Sequence, residues 1–178
     1  PATDSGLRSA SLAAEACAQW ADEFLETGEY DQAIARLKDA AGNYPGTSVA
    51  TEAGNRIAEI YDRWARELCQ QGQYAVAVEK YQLLQGYYPD TSLGKRGNEL
   101  LAGVYRDWAG GLHKSGDYAQ ALQKYRLILE YYESTQAGKT AAVSAAQTLV
   151  DWAIQLRKTG QFQEAVEKYQ TVLDEFPQ

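Results

Sequence analysis

Four tryptophans, Trp20, Trp64, Trp108 and Trp152, stand 44 residues apart without a slip. The same interval relates Gly28, Gly72, Gly116 and Gly160, and again Ala33, Ala77, Ala121 and Ala165. Several residue types sharing one register mark a chain of stacked structural repeats, in which each unit depends on its neighbour to bury an apolar face. The register divides one domain, residues 1–178, into units 3–46, 47–90, 91–134 and 135–178.

Within the second unit, Ile57, Ile60, Tyr61, Trp64, Ala65 and Leu68 follow the spacing of a helix that buries one face. This segment is helix A. Gly72-Gln73-Tyr74 then supplies a helix-ending glycine and a turn. Helix B follows, with Ala77, Tyr81, Leu84 and Tyr88 as its buried stripe. Tyr88-Pro89 ends it, because a residue before proline is pushed out of helical geometry. Only four prolines occur in the chain, so little else interrupts helix. One unit is a helical hairpin, and strands are not expected.

These residues resemble the tetratricopeptide repeat family, whose signature sets an aromatic, a leucine and a small residue on the first helix before a glycine, aromatics, an alanine and a proline. The second unit carries it as Tyr61, Trp64, Ala65, Leu68, Gly72, Tyr74, Ala77, Tyr81, Leu84 and Pro89. The fourth carries Leu149, Trp152, Ala153, Leu156, Gly160, Phe162, Ala165, Tyr169, Val172 and Pro177. The resemblance covers the whole chain and implies an all-α fold, an α-solenoid of four tetratricopeptide-like hairpins. The family's unit has about 34 residues, so about ten are extra here, all between the proline and the helix-A signature. They read as an N-terminal extension of helix A by roughly 15 Å, with Thr47, Ser48, Thr91 or Ser92 as caps. A separate short helix is the alternative. The third unit departs further, with Glu133 in place of the proline and Gly110-Gly111 inside helix A. Two such glycines cost about 1 kcal/mol each and suggest a kink or a close approach.

No apolar run approaches the roughly 20 residues of a membrane-spanning helix, and no signal leader opens the sequence. The absence of methionine and the start at Pro1 suggest a processed product or a segment of a longer protein. The compartment is open. The chain leans cytoplasmic, yet the turns Tyr44-Pro45 and Tyr88-Pro89 resemble those of tetratricopeptide proteins of bacterial envelopes. Cys17 and Cys69 occupy non-equivalent repeat positions and give neither a metal spacing nor a disulfide framework.

Catalysis has no motif to stand on: there is no phosphate-binding glycine loop, no His-Glu-x-x-His and no paired cysteines. The reading is therefore not an enzyme, with no cofactor and no metal. The single histidine, His113, is expected in solvent. Carboxylates fall in helical i, i+4 pairs, Glu59 with Arg63, Asp62 with Arg66 and Glu164 with Lys168, which explain themselves structurally. A net charge of −7 and a pI near 4.8 disfavour nucleic acid.

What the resemblance implies instead is a protein-interaction scaffold that holds a peptide or partner helix in a groove lined by helices A. Its groove positions correspond to Glu15 and Asp22, then Arg63 and Arg66, then Arg106, His113 and Lys114, then Arg157 and Lys158. The alternative is a structural protein that assembles with itself. Repeat arrays need polar terminal units, and Val166, Tyr169, Val172 and Phe176 have no following helix to cover them. Those four residues would then make end-to-end contacts in a homo-oligomer or filament. An acidic first unit would favour head-to-tail order.

Overall fold

The structure is a computed structural model that describes residues 3–176. Among the described residues there are eight α-helices and no strand. They are α1 (Asp4–Glu26), α2 (Tyr30–Asn43), α3 (Ser48–Gln70), α4 (Tyr74–Tyr87), α5 (Gly97–Lys114), α6 (Tyr118–Tyr131), α7 (Gly138–Lys158) and α8 (Phe162–Glu175). Odd-numbered helices are helices A and even-numbered ones helices B. The chain packs as two compact units, Pro1–Gly97 and Asn98–Gln178. In the first, α2 packs on both α1 and α3; in the second, α7 packs on both α6 and α8.

Each helix A stops by the same device. Gly28, Gly72, Gly116 and Gly160 take φ between +74° and +84°, a conformation that costs an L side chain about 1–2 kcal/mol. The residue after each glycine donates its N–H back five positions, as in Gln73 to Leu68 at 2.8 Å and Gln161 to Leu156 at 2.9 Å. The glycine itself donates to the carbonyl three residues before it, Gly72 to Cys69 at 3.0 Å. This pair of bonds satisfies carbonyls a helix end would otherwise leave open.

The extra residues do extend helix A. α1 and α3 each run 23 residues, about 35 Å at 1.5 Å per residue. Threonine caps them: the Thr3 hydroxyl accepts from Gly6 and that of Thr47 from Ala50. Thr91 and Thr135 likewise accept from Gly94 and Gly138, both at 3.0 Å. Ser48 lies inside α3, not at its cap, and Ser92 precedes a 3-10 turn, Gly94–Arg96, from which α5 continues. Helix B stops alike with or without proline. Tyr44 and Tyr88 leave helical geometry before Pro45 and Pro89, and Tyr132 does so before Glu133, at φ −134° and ψ 26°. Pro177 lies outside the described residues. α5 runs unbroken through Gly110, and a Cβ there would meet no heavy atom within 4 Å, so no close approach explains that glycine.

The core of the second unit joins Ala102 and Ala109 of α5, Leu122, Tyr125 and Ile128 of α6, and Ala141, Ala145 and Leu149 of α7. Small residues on the A helices let the backbones approach, and the larger side chains of helix B fill the space between them. The four tryptophans share a cationic cover, although Trp20 is exposed where the other three are half-buried. A basic side chain lies over each ring: Arg36 on Trp20, Lys80 on Trp64, Lys124 on Trp108 and Lys168 on Trp152, at 3.6 to 4.6 Å from the centroid. Such contacts are worth about 0.5–1 kcal/mol where exposed.

Candidate protein-interaction surfaces

The first unit opens a depression of about 250 Å³ between α1 and α3, lined by Asp22, Leu25, Arg56, Glu59, Ile60 and Arg63. Arg56 donates to the Asp22 carboxylate at 2.5 Å across the two helices. Arg63 turns toward Glu67, 3.3 Å away, and lies over the Tyr30 ring. The expected pair with Glu59 is not formed, because stacking on Tyr30 aims the guanidinium one turn toward the helix C-terminus. Arg63 and Arg66 therefore serve different neighbourhoods. Arg66 binds one oxygen of Asp62 at 2.7 Å, and the Tyr81 hydroxyl donates to the other at 2.9 Å. Burial and the adjacent Asp62 carboxylate push the Tyr81 hydroxyl well above its ordinary range. The Asp62–Arg66 pair is thus not simply a surface pair: Asp62 is buried and both its oxygens are satisfied.

The second unit opens a depression of about 360 Å³ between α5 and α7, lined by Gly110, His113, Lys114, Tyr125, Ser144 and Thr148 among others. His113 is not in solvent as expected. It is half-buried, with Nδ1 3.0 Å from the Thr148 hydroxyl and Nε2 3.3 Å from Asp151, and its ring meets Tyr118 edge-on. The Thr148 hydroxyl donates to the Ser144 carbonyl at 2.7 Å, so the Thr148 oxygen accepts from His113. A histidine, an aspartate and a hydroxyl side by side invite comparison with a nucleophilic triad. The order is wrong for one: the hydroxyl proton is committed to the backbone and Thr148 is 1% exposed. The arrangement ties α5 to α7.

The other basic candidates are spread out. Arg106 pairs with its neighbour Asp107, Lys114 sits exposed at the rim of the depression, and Arg157 and Lys158 are exposed in the last turn of α7. Glu15 is exposed on α1. On α8, Val166 is exposed while Tyr169, Val172 and Phe176 are half-buried. Lys168 lies over Trp152, where a pair with Glu164 had been expected. The positions 36, 80, 124 and 168 are 44 apart, so the same period that reveals the tryptophans could have found their cationic covers. Threonines 3, 47, 91 and 135 carry the cap signal in the same way.

Among the described residues no cluster of metal-ligating side chains is present, and no helix is long and apolar enough to cross a membrane. No curated protein matches the chain. A family model described as tetratricopeptide repeat matches residues 141–178, which take in α8 and nearly all of α7. α8 and most of α7 thus match a tetratricopeptide repeat, and the three preceding hairpins share its glycine stop and its cation-covered tryptophan.

Proposed function

We propose that this chain is a non-catalytic scaffold that holds a protein partner along the faces of its A helices. Tetratricopeptide repeats are protein-interaction modules, and that family reading is the ground for a binding role. The observation that favours these faces is that depressions of about 250 Å³ and 360 Å³ lie between consecutive A helices, one in each unit. Each brings charged and apolar side chains together, Arg56, Glu59 and Arg63 with Leu25 and Ile60 in the first, His113 and Lys114 with Tyr125 and Val143 in the second, a mixture that can orient a polypeptide through a few polar contacts.

The second unit's depression favours an acidic segment. His113 and Lys114 stand at it, and Arg157 and Lys158 end the neighbouring helix, where cations also complement the helix dipole. Selection of a displayed random-peptide library on the full chain tests this. Enriched peptides should be acidic and should lose binding to a Lys114→Glu, Arg157→Glu double variant. A Gln163→Glu control on the exposed face of α8 should bind them unchanged. Failure to enrich any peptide, or peptides indifferent to the double variant, would overturn the reading.

A further inference from the structure

We propose that the outer face of α1 and the groove on α7 and α8 are halves of a single interface, in which the groove takes α1 of a second copy in the register that α7 itself uses on α5 and α6. The proposal does not rest on the peptide surfaces described above, and its test does not use them.

The chain shows internally what fills such a groove. In the second unit, Ala141, Ala145 and Leu149 of α7 enter a core with Ala102, Leu122 and Ile128, and Trp152 stacks on Tyr118. In the first unit, Trp64 of α3 stacks on Tyr30 of α2 with centroids 5.3 Å apart. Residues covered in this way are buried: Ile34 is 4% exposed, Leu122 6% and Tyr30 5%. Their equivalents on α8 are bare, Val166 at 62% and Phe162 at 65%. Beside them runs a groove of about 550 Å³ lined by Ala142, Ala146, Val150, Val172 and Phe176.

The matching key is at the other end. In the register of Ala141, Ala145, Leu149 and Trp152, α1 carries Ser9, Ala13, Cys17 and Trp20, and none of these four is buried. Three are small, as the close helix approach in the α7 interface requires. α1 holds Arg8 against five carboxylates and α7 holds Lys139, Arg157 and Lys158 against Asp151, which favours contact of those two helices. α8 adds Glu164, Glu167, Asp174 and Glu175 against Lys168, so the match rests on register and not on net charge.

The polar positions choose a second copy as occupant. Arg56 and Asp22 form an ion pair between α1 and α3. Carried to the ends, that pair becomes Leu12 of one copy facing Ile154 of the other, and Leu12 is otherwise 58% exposed. Arg126 and Glu175 bridge α6 and α8; carried to the ends, they become Gln170 and Asn43. In both cases the two partners have changed together, whereas the His113–Asp151 pair carried to the ends becomes Arg157 facing the neutral Gln19.

Sedimentation of the full chain from micromolar to millimolar concentration tests the proposal. The average mass should rise with concentration, and past a dimer, because a head-to-tail contact leaves one free half at each end. Val166→Glu should block the groove and Leu12→Glu the key. Both side chains are exposed, so circular dichroism should report an unchanged fold. Each variant alone should remain monomeric, while an equimolar mixture should form dimers and nothing larger, since it holds one intact groove and one intact key. A wild-type mass that stays monomeric to millimolar concentration would overturn the proposal and point to a different occupant. So would variants that still associate alone, or a mixture that does not associate.

Discussion

The turn that enters α3 and the turn that enters α7 do the same work with a glycine in different places. Before α3, Tyr44-Pro45-Gly46-Thr47 puts Gly46 at φ +88°, and the register position inside the helix is Ala50. Before α7, Tyr132-Glu133-Ser134-Thr135 has no glycine and no positive φ, and that position is Gly138. A Cβ on Gly138 would lie 2.3 Å from the Tyr132 carbonyl oxygen and 2.4 Å from that of Glu133. Gly94, which follows Tyr88-Pro89-Asp90-Thr91, is tighter still, with the Tyr88 oxygen at 2.0 Å. The chain either spends a glycine on a left-handed turn, which swings the incoming backbone clear of the helix, or keeps a right-handed turn that presses a carbonyl against the helix's first turn. The second path tolerates only glycine there. A repeat can therefore keep its period and its cap while the residue that permits the turn moves by four positions.

The largest test of this contrast is Gly138→Ala, which must displace backbone and should cost about 3 kcal/mol, with Gly94→Ala similar or worse. Urea unfolding followed by circular dichroism measures both; a loss under about 0.5 kcal/mol would mean the close carbonyl approach is not a constraint. Gly46→Ala meets no atom within 4 Å, so it should pay only for the left-handed conformation, about 1–2 kcal/mol. Removing the cap sharpens the comparison from the other side. Thr135→Ala and Thr47→Ala should each lose about 1 kcal/mol, and a large difference between them would show that the two turns do not share one cap. Smallest of all, Ala50→Gly should cost less than about 1 kcal/mol by helix propensity alone, because the turn before it already carries its own glycine.

Much of this is visible to anyone who reads the chain at a period of 44. The tryptophans, the stop glycines and the helix-A extension were all legible; the glycines recur in one conformation, while Trp20 is more exposed than the other tryptophans and α5 is entered through a 3-10 turn. Thr47 and Thr91 could be named as caps because a cap is a contact with a backbone N–H three residues on. Glu133 was legible as a missing proline, but its consequence was not. Helix B still ends at Tyr131, so proline is not what ends it there. Among the candidate site residues, Arg63 and Arg66 looked like neighbours on one surface, yet they address Glu67 and Asp62 respectively. His113 looked solitary because its partner Thr148 is 35 residues away.

The amino-acid order alone determined that four hairpins follow one another and where each helix A stops. Those outcomes depend on backbone conformation and on bonds spanning a few residues, as at Gly72 and Thr47. Only the tertiary structure decided which polar groups meet, Arg56 with Asp22, Arg126 with Glu175 and His113 with Asp151. It also decided which glycine a carbonyl presses against. Long side chains and inter-helix carbonyls take their direction from the packing of a neighbouring helix, and no local run of residues encodes that direction.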